Sequence, residues 1–229
     1  MKANPLVTLA TILMLASLAP RNAAAAEFES IDIHIEYSAA DDDGEAMINV
    51  KAGLALKELA LFAPQQPNKD KRKKIISLTN KHVKGLGLSH IQLETPEPTL
   101  EEVLSAYPAG TYTFEGLTTD DEVVTGEVVL AHDILDAPAI TAPTADASDV
   151  PALGTVVTWD AVPGASAYAV TLEQEDLAIE LTADILAGTT SFAFPDGWLS
   201  PGLPYVLGVA VKGANGNVVV SEIAFTTAP

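Results

Sequence analysis

The chain has 229 residues, no Cys, and 31 acidic against 12 basic residues, for a formal charge of −19. The missing cysteines exclude a disulfide framework and thiol chemistry, and the negative surface repels nucleic acid and anionic lipid. With 48% apolar residues, the length is enough for two domains of about 100 residues that rely on hydrophobic cores alone.

The first segment reads as a cleavable leader. Lys2 starts it, Leu6 to Leu18 is an unbroken apolar run, and Ala23 to Ala26 supplies small residues before polar Glu27. The run is shorter than the roughly 20 residues of a membrane span. The expected product is a secreted or periplasmic protein with residues 1–26 removed, starting at Glu27 and carrying no transmembrane segment. Its charge is about −21 once Lys2 and Arg21 are gone.

Ser30 to Tyr37 alternates strictly. Ile31, Ile33 and Ile35 share one face, and Asp32, His34 and Glu36 the other, solvated one. Asp41-Asp42-Asp43-Gly44 is turn chemistry, and Ala46 to Lys51 alternates again, which predicts a hairpin. Leu54 to Phe62 fits a helix or a buried strand; the neighbouring strands favour strand. Ala63 to Lys74 is a polar loop or hairpin tip. Short strands follow at Ile75 to Leu78 and His90 to Leu93, with an irregular stretch, Lys81 to Gly87, between them. Thr99-Leu100-Glu101-Glu102 is a capping box that opens a short helix turning Val103, Leu104 and Tyr107 inward. Thr111 to Glu115 and Glu122 to Ala131 predict a second hairpin.

Ile134 to Pro143 reads as the join between an N-terminal β-rich domain, 27–136, and a C-terminal domain, 137–229. In the second domain strands are predicted at Thr155 to Trp159, Ala167 to Glu173, Leu177 to Leu181, Ser191 to Phe194, Tyr205 to Val211 and Val218 to Thr226. About seven short strands with Pro and Gly turns argue for a β-sandwich. The fold class is therefore all-β with one short helix: two sandwich-like domains in tandem.

Several motifs of the C-terminal half stand together. Pro138 and Pro143 bound its first strand. Val157-Thr158-Trp159 precedes Pro163-Gly164 and Tyr168. Leu199-Ser200-Pro201-Gly202-Leu203-Pro204-Tyr205 has the spacing of a tyrosine corner, and Val209-Ala210-Val211, Ser221 and Phe225-Thr226 complete a last hairpin. On these residues the half resembles a fibronectin type III domain, of the immunoglobulin-like class. The resemblance implies that Trp159 and Tyr168 pack between two sheets and that the Tyr205 hydroxyl bonds back to nearby backbone. It implies no particular function, since the fold serves adhesion, spacing and receptor modules alike. The Arg-Gly-Asp adhesion tripeptide of some family members is absent, and the matching hairpin reads Lys212-Gly213-Ala214-Asn215-Gly216-Asn217. The N-terminal half resembles, in layout only, domains that precede such modules in secreted bacterial proteins.

Candidate chemistry is sparse. Asp41, Asp42, Asp43 and Glu45 are the best metal candidates, because Ca²⁺ takes six to eight oxygens. An EF-hand reading fails, since it puts Ala39 and Val50 at ligand positions; a plain acidic turn is the competing explanation. No other cofactor is implied. The four histidines are scattered and form no zinc spacing. Gly87-Leu88-Ser89-His90-Ile91 lacks the last Gly of a nucleophile elbow. No catalytic residue stands out, and the chain is read as a non-enzyme. Seven basic residues crowd into Lys69 to Lys84, whereas Lys212 is the only one from Gly85 onward. Lys71, Arg72, Lys73 and Lys74 are thus candidates for binding an anionic partner, and a solvated loop offsetting the acidic body is the alternative. Trp198, after Pro195-Asp196-Gly197, is a candidate for stacking on a sugar or anchoring a partner, against partial burial as a cap. The reading is a non-catalytic interaction protein for an envelope polysaccharide or protein. The alternatives are a hydrolase with a carboxylate site in the first domain, or a spacer.

Overall fold

The computed structural model describes residues 26–79 and 87–229. The expected leader, apart from Ala26, and the stretch Lys81 to Gly87, apart from Gly87, lie outside the described residues.

The N-terminal half is organised by one long strand. β1 (Ala26–Glu27) and β2 (Ser30–Ser38) lead to β3 (Asp43–Phe62), which runs unbroken for 20 residues where two separate runs were expected. Ser38 faces Asp43 across the hairpin turn. Asp42 takes a left-handed conformation there, which a short polar side chain tolerates. Gly44, expected in the turn, lies in β3 for another reason. A Cβ on it would sit 3.1 Å from Val103 Cγ1 and 3.3 Å from Leu100 Cα, so its bare backbone admits a helix.

Gly53, at φ +66°, breaks β3 into two usable halves. The first half pairs with β2 and β5 (Leu88–Leu93). The second pairs with β4 (Lys74–Thr79) and β6 (Gly110–Thr118). β7 (Val123–Leu130) pairs with β6 and, in parallel, with β1. One strand so serves two layers, and Ile33, Ile35, Ile48, Leu56, Leu61 and Phe114 fill the core. The short helix α1 (Leu100–Ala106) closes it, with Val103 fully buried. Its capping box forms: Thr99 Oγ1 accepts the Glu102 N–H at 3.4 Å, and Glu102 Oε2 accepts the Thr99 N–H at 3.1 Å.

The C-terminal half has two sheets. β8 (Ile140–Ala142), β9 (Val156–Trp159) and β12 (Ser191–Ala193) make one, in the order β12-β9-β8. β10 (Ala165–Gln174), β11 (Ile179–Leu186), β13 (Pro204–Gly213) and β14 (Val218–Thr226) make the facing layer, in the order β14-β13-β10-β11. Trp159 and Tyr168 meet between them at 5.5 Å, and Tyr205 stacks on Phe225 at 5.6 Å. The Tyr205 hydroxyl accepts the Ser200 N–H at 2.7 Å, which ties the corner five residues upstream.

The two halves share a sheet. Val218, Val219 and Val220 of β14 pair in parallel with Glu36, Tyr37 and Ser38 of β2, giving one 11-stranded sheet among the described residues. Asn217 locks this joint. It is 2% exposed, its Oδ1 accepts the Ile35 N–H at 2.9 Å, and its Nδ2 donates to the carbonyls of Ala131 (2.9 Å) and Asp133 (3.2 Å). The hairpin that carries the adhesion tripeptide in some fibronectin type III domains is here occupied by the joint. It also corrects the expectation for His34. Gly216 covers that side chain, so His34 is 7% exposed instead of lying on a solvated face.

Candidate functional site

The loop from Ala63 to Lys73 joins β3 to β4 and carries the basic run. Gln66-Pro67-Asn68-Lys69 forms a turn, with the Lys69 N–H donating to the Gln66 carbonyl at 3.1 Å; Pro at its second position presets φ. The loop is closed at its base by the Ala63 N–H donating to the Lys73 carbonyl at 2.8 Å.

The chain bends at Asp70 and Lys71 before it enters β4, and the basic side chains divide between two sides. Arg72 and Lys74 go one way. Both cations sit 5.3 Å from the centroid of the Phe62 ring, and Arg72 also donates to Glu115 at 3.3 Å. Lys69, Lys71 and Lys73 go the other way. With Pro64, Ser105 and Pro108 they line a cavity of about 370 Å³ between the loop and the end of α1.

Charge is left over in that cavity. No carboxylate among the described residues comes within ion-pair distance of these three lysines, and the undescribed stretches contain no acidic residue. The C-terminal end of α1 lies alongside and has no basic residue of its own in its last turn. A helix end carries only about half a negative charge, too little to offset three ammonium groups. The run Lys71 to Lys74 is thus divided: Lys71 and Lys73 line the cavity, while Arg72 and Lys74 are engaged with Phe62 and, for Arg72, Glu115. Lys69 completes the set, and the alternate spacing 69, 71, 73 was the signal that could have found it.

A second cleft, of about 650 Å³, lies on the other side of Arg72. Glu115 and Glu127 are diagonal neighbours on the outer face of the β6–β7 pair, and Glu27 and Phe28 approach from the N-terminus. It brings the carboxylates Glu115 and Glu127 to one face, beside Arg72.

The acidic turn does not gather its carboxylates. Among the described residues no three His, Asp or Glu side chains converge as a metal-holding group. Asp41 and Asp42 accept hydrogen bonds from Ser38 Oγ (3.5 Å) and Tyr37 Oη (3.1 Å). Glu45 sits one strand over, facing Glu36. Burial, and then the charges of Glu36, Glu94, Glu97 and Asp43, raise its carboxyl above the usual range. Trp198 belongs to the other half, between β12 and β13. Its backbone N–H donates to the Pro195 carbonyl at 3.3 Å, Gly197 turns at φ +89°, and the residue is 38% exposed. It lines neither cavity, and nothing brings it to the lysines.

The C-terminal half is a fibronectin type III-like sandwich: three strands against four, with the core Trp and Tyr and the tied tyrosine corner in place. No family model matches the sequence, and no curated protein matches it. Among solved structures it is similar to the FN1–FN3 domains of chicken CNTN1 (13% identity, TM-score 0.42), which cover 90% of this chain while the chain spans 65% of theirs. It is similar also to the fibronectin(III)-like modules of Clostridium thermocellum CbhA (10% identity, TM-score 0.34, 91% of this chain and 92% of that one). A computer-redesigned β-sandwich protein matches 42% of the chain at 20% identity, with a TM-score of 0.34 and 97% of its own length covered. These scores are low, so the assignment rests on the chain's own strand order and corner. Among the described residues, no helix is long and apolar enough to cross a membrane.

Proposed function

We propose that the chain is a non-catalytic interaction protein acting outside the cytoplasm, and that its N-terminal half takes an anionic polysaccharide in the lysine-lined cavity. The observation that carries this reading is the trio Lys69, Lys71 and Lys73, which line one cavity and form no ion pair among the described residues. The three ammonium groups are exposed and make no ion pair, so they are open to an anion. The flanking Pro64 and Pro108 give an apolar wall against which a sugar ring can rest. The fibronectin type III-like half is in keeping with an interaction or structural role, and the Lys2 to Ala26 leader pattern with export. An acidic envelope protein is the alternative ligand.

The test is titration of the purified protein with an acidic polysaccharide and with a neutral one of equal length. The triple variant Lys69→Gln, Lys71→Gln, Lys73→Gln should lose binding to the acidic polymer; the pair Arg72→Gln, Lys74→Gln should keep it. Equal binding of both polymers, or loss only in the second variant, would overturn the reading. Binding of an acidic envelope protein alone would move it to the alternative. The Glu115 and Glu127 cleft supports a competing hydrolase reading. Cleavage of the same polymers that disappears in Glu115→Gln or Glu127→Gln would establish that reading in its place.

A further inference from the structure

The large sheet ends on β11, eight residues long and paired only with β10 among the described residues. In an antiparallel pair alternate residues turn both N–H and C=O away from the partner strand. β11 therefore presents a row of open main-chain groups. Natural edges are blunted by Pro, charged side chains, bulges, shortness or an inward charge, and of these β11 has only the acids Glu180 and Asp184. β11 (Ile-Glu-Leu-Thr-Ala-Asp-Ile-Leu) has no Pro, Gly or Lys, its register with β10 is regular over all eight residues, and Leu181 is buried beneath it. Leu186, on the outer face at its end, is 82% exposed.

The charge beside this edge has one sign. Glu180 lies directly across from Glu173, a like-charge pair that weakens the sheet it belongs to. A cavity of about 680 Å³ opens there, with Ile179, Tyr205 and Val206 inside and Glu173, Asp176 and Glu180 around it. Further along the same face Glu222 has its carboxyl raised by burial and then by Glu173, Asp41 and Asp43, so the acidic field reaches back to the β2–β3 turn. Lys212 is the single basic residue of this half.

We propose that β11 docks an extended, Lys- or Arg-bearing segment of a partner protein as an added strand. Main-chain hydrogen bonds along the edge supply affinity, and Glu180 and Asp184, on one face two positions to either side of Thr182, select cationic side chains. The acids also argue against a second copy as occupant. Two-fold antiparallel pairing about Thr182 sets Glu180 directly against Asp184 twice, and like charges opposed across strands are unfavourable. The chain's own basic loop is held elsewhere, closed by the Ala63–Lys73 hydrogen bond in the other half. This site is separate from the lysine-lined cavity and does not depend on it.

The experiment uses the full chain and a ten-residue peptide alternating Lys and Val, with a Glu–Val peptide as control. Amide hydrogen exchange locates binding, and calorimetry measures it. The Lys–Val peptide should slow exchange across 179–186. Its affinity should fall about tenfold in Glu180→Lys/Asp184→Lys, and by less in the milder Glu180→Gln/Asp184→Gln, both exposed changes that leave the core alone. Unchanged exchange in β11, equal protection by the Glu–Val peptide, or undiminished binding by both variants would overturn the proposal. Protection of β11 that grows with protein concentration and needs no peptide would also overturn it, by assigning the edge to a second copy.

Discussion

The two halves reach a β architecture by different means. The C-terminal half relies on large aromatic side chains: Trp159, Tyr168, Tyr205 and Phe225 occupy its centre, and the Tyr168 and Tyr205 hydroxyls accept backbone N–H groups at 2.7 Å. The N-terminal half relies on backbone geometry. A glycine at φ +66° bends one 20-residue strand into two layers, and another in β3 lets a helix lie close. A core built around a few aromatics concentrates its stability in them. A core built of many aliphatic residues on a bent strand spreads it.

That contrast is sharpest at Trp159. Trp159→Ala should cost about 3–5 kcal/mol, enough to unfold the C-terminal half at moderate urea, whereas Leu61→Ala should cost about 2–5 kcal/mol in the other half. Urea unfolding followed by Tyr and Trp fluorescence checks both. The costs are similar, and what should differ is which half melts; unfolding of the same half in both variants would break the comparison. The joint comes next. Asn217→Ala strands the buried Ile35 N–H and frees two carbonyls, at a cost of about 1–3 kcal/mol. Calorimetry should then resolve two transitions, against one expected for the wild type. Tyr205→Phe keeps the stacked ring and removes one hydrogen bond, so about 0.5–1.5 kcal/mol is expected, a small shift of the urea midpoint.

How much of this could be read from the chain follows the same division. The C-terminal sandwich was legible because its motifs are local: a corner Tyr within seven residues, a Trp before a Pro-Gly turn. The alternation of Ser30 to Tyr37 was legible too, and the capping box gave α1 almost to the residue. What escaped was non-local. Nothing within β2 says that a hairpin about 180 residues away will cover it, so His34 read as solvated; Gly216 lies against its side chain. The single length of β3 escaped because Ala46 to Lys51 and Leu54 to Phe62 read as separate runs, whereas Gly53, at φ +66°, lies within one strand. At the candidate site the basic run was plain, but its division was not. Which lysines face the cavity depends on Phe62 and Glu115, supplied by β3 and β6.

His34 provides the finest measure of the joint. Its Nδ1 lies 2.5 Å from Asp32 Oδ2 and its Nε2 3.0 Å from Glu36 Oε1. Burial alone would depress the imidazole pKa. The two hydrogen bonds and the two carboxylate charges outweigh it and hold the pKa at about 9, against 6.5 for a free histidine. Asp32 is lowered in turn by its bond to His34, with a further contribution from Lys212 on β13. Met47, opposite His34 on β3, and Gly216 add no charge. The folded state thus binds a proton that the unfolded chain releases first. The stabilisation is complete below about pH 6.5, declines as pH rises, and is gone above about 9. Asp32 and Glu36 are partly exposed, so solvent screening leaves about 1 kcal/mol or less. Urea midpoints measured from pH 6 to 10 should drift downward in the wild type and stay flat in His34→Gln, which cannot carry the charge. Parallel drift in both proteins would mean that the hairpin covers a neutral imidazole, and that the joint is held by Asn217 without help from charge.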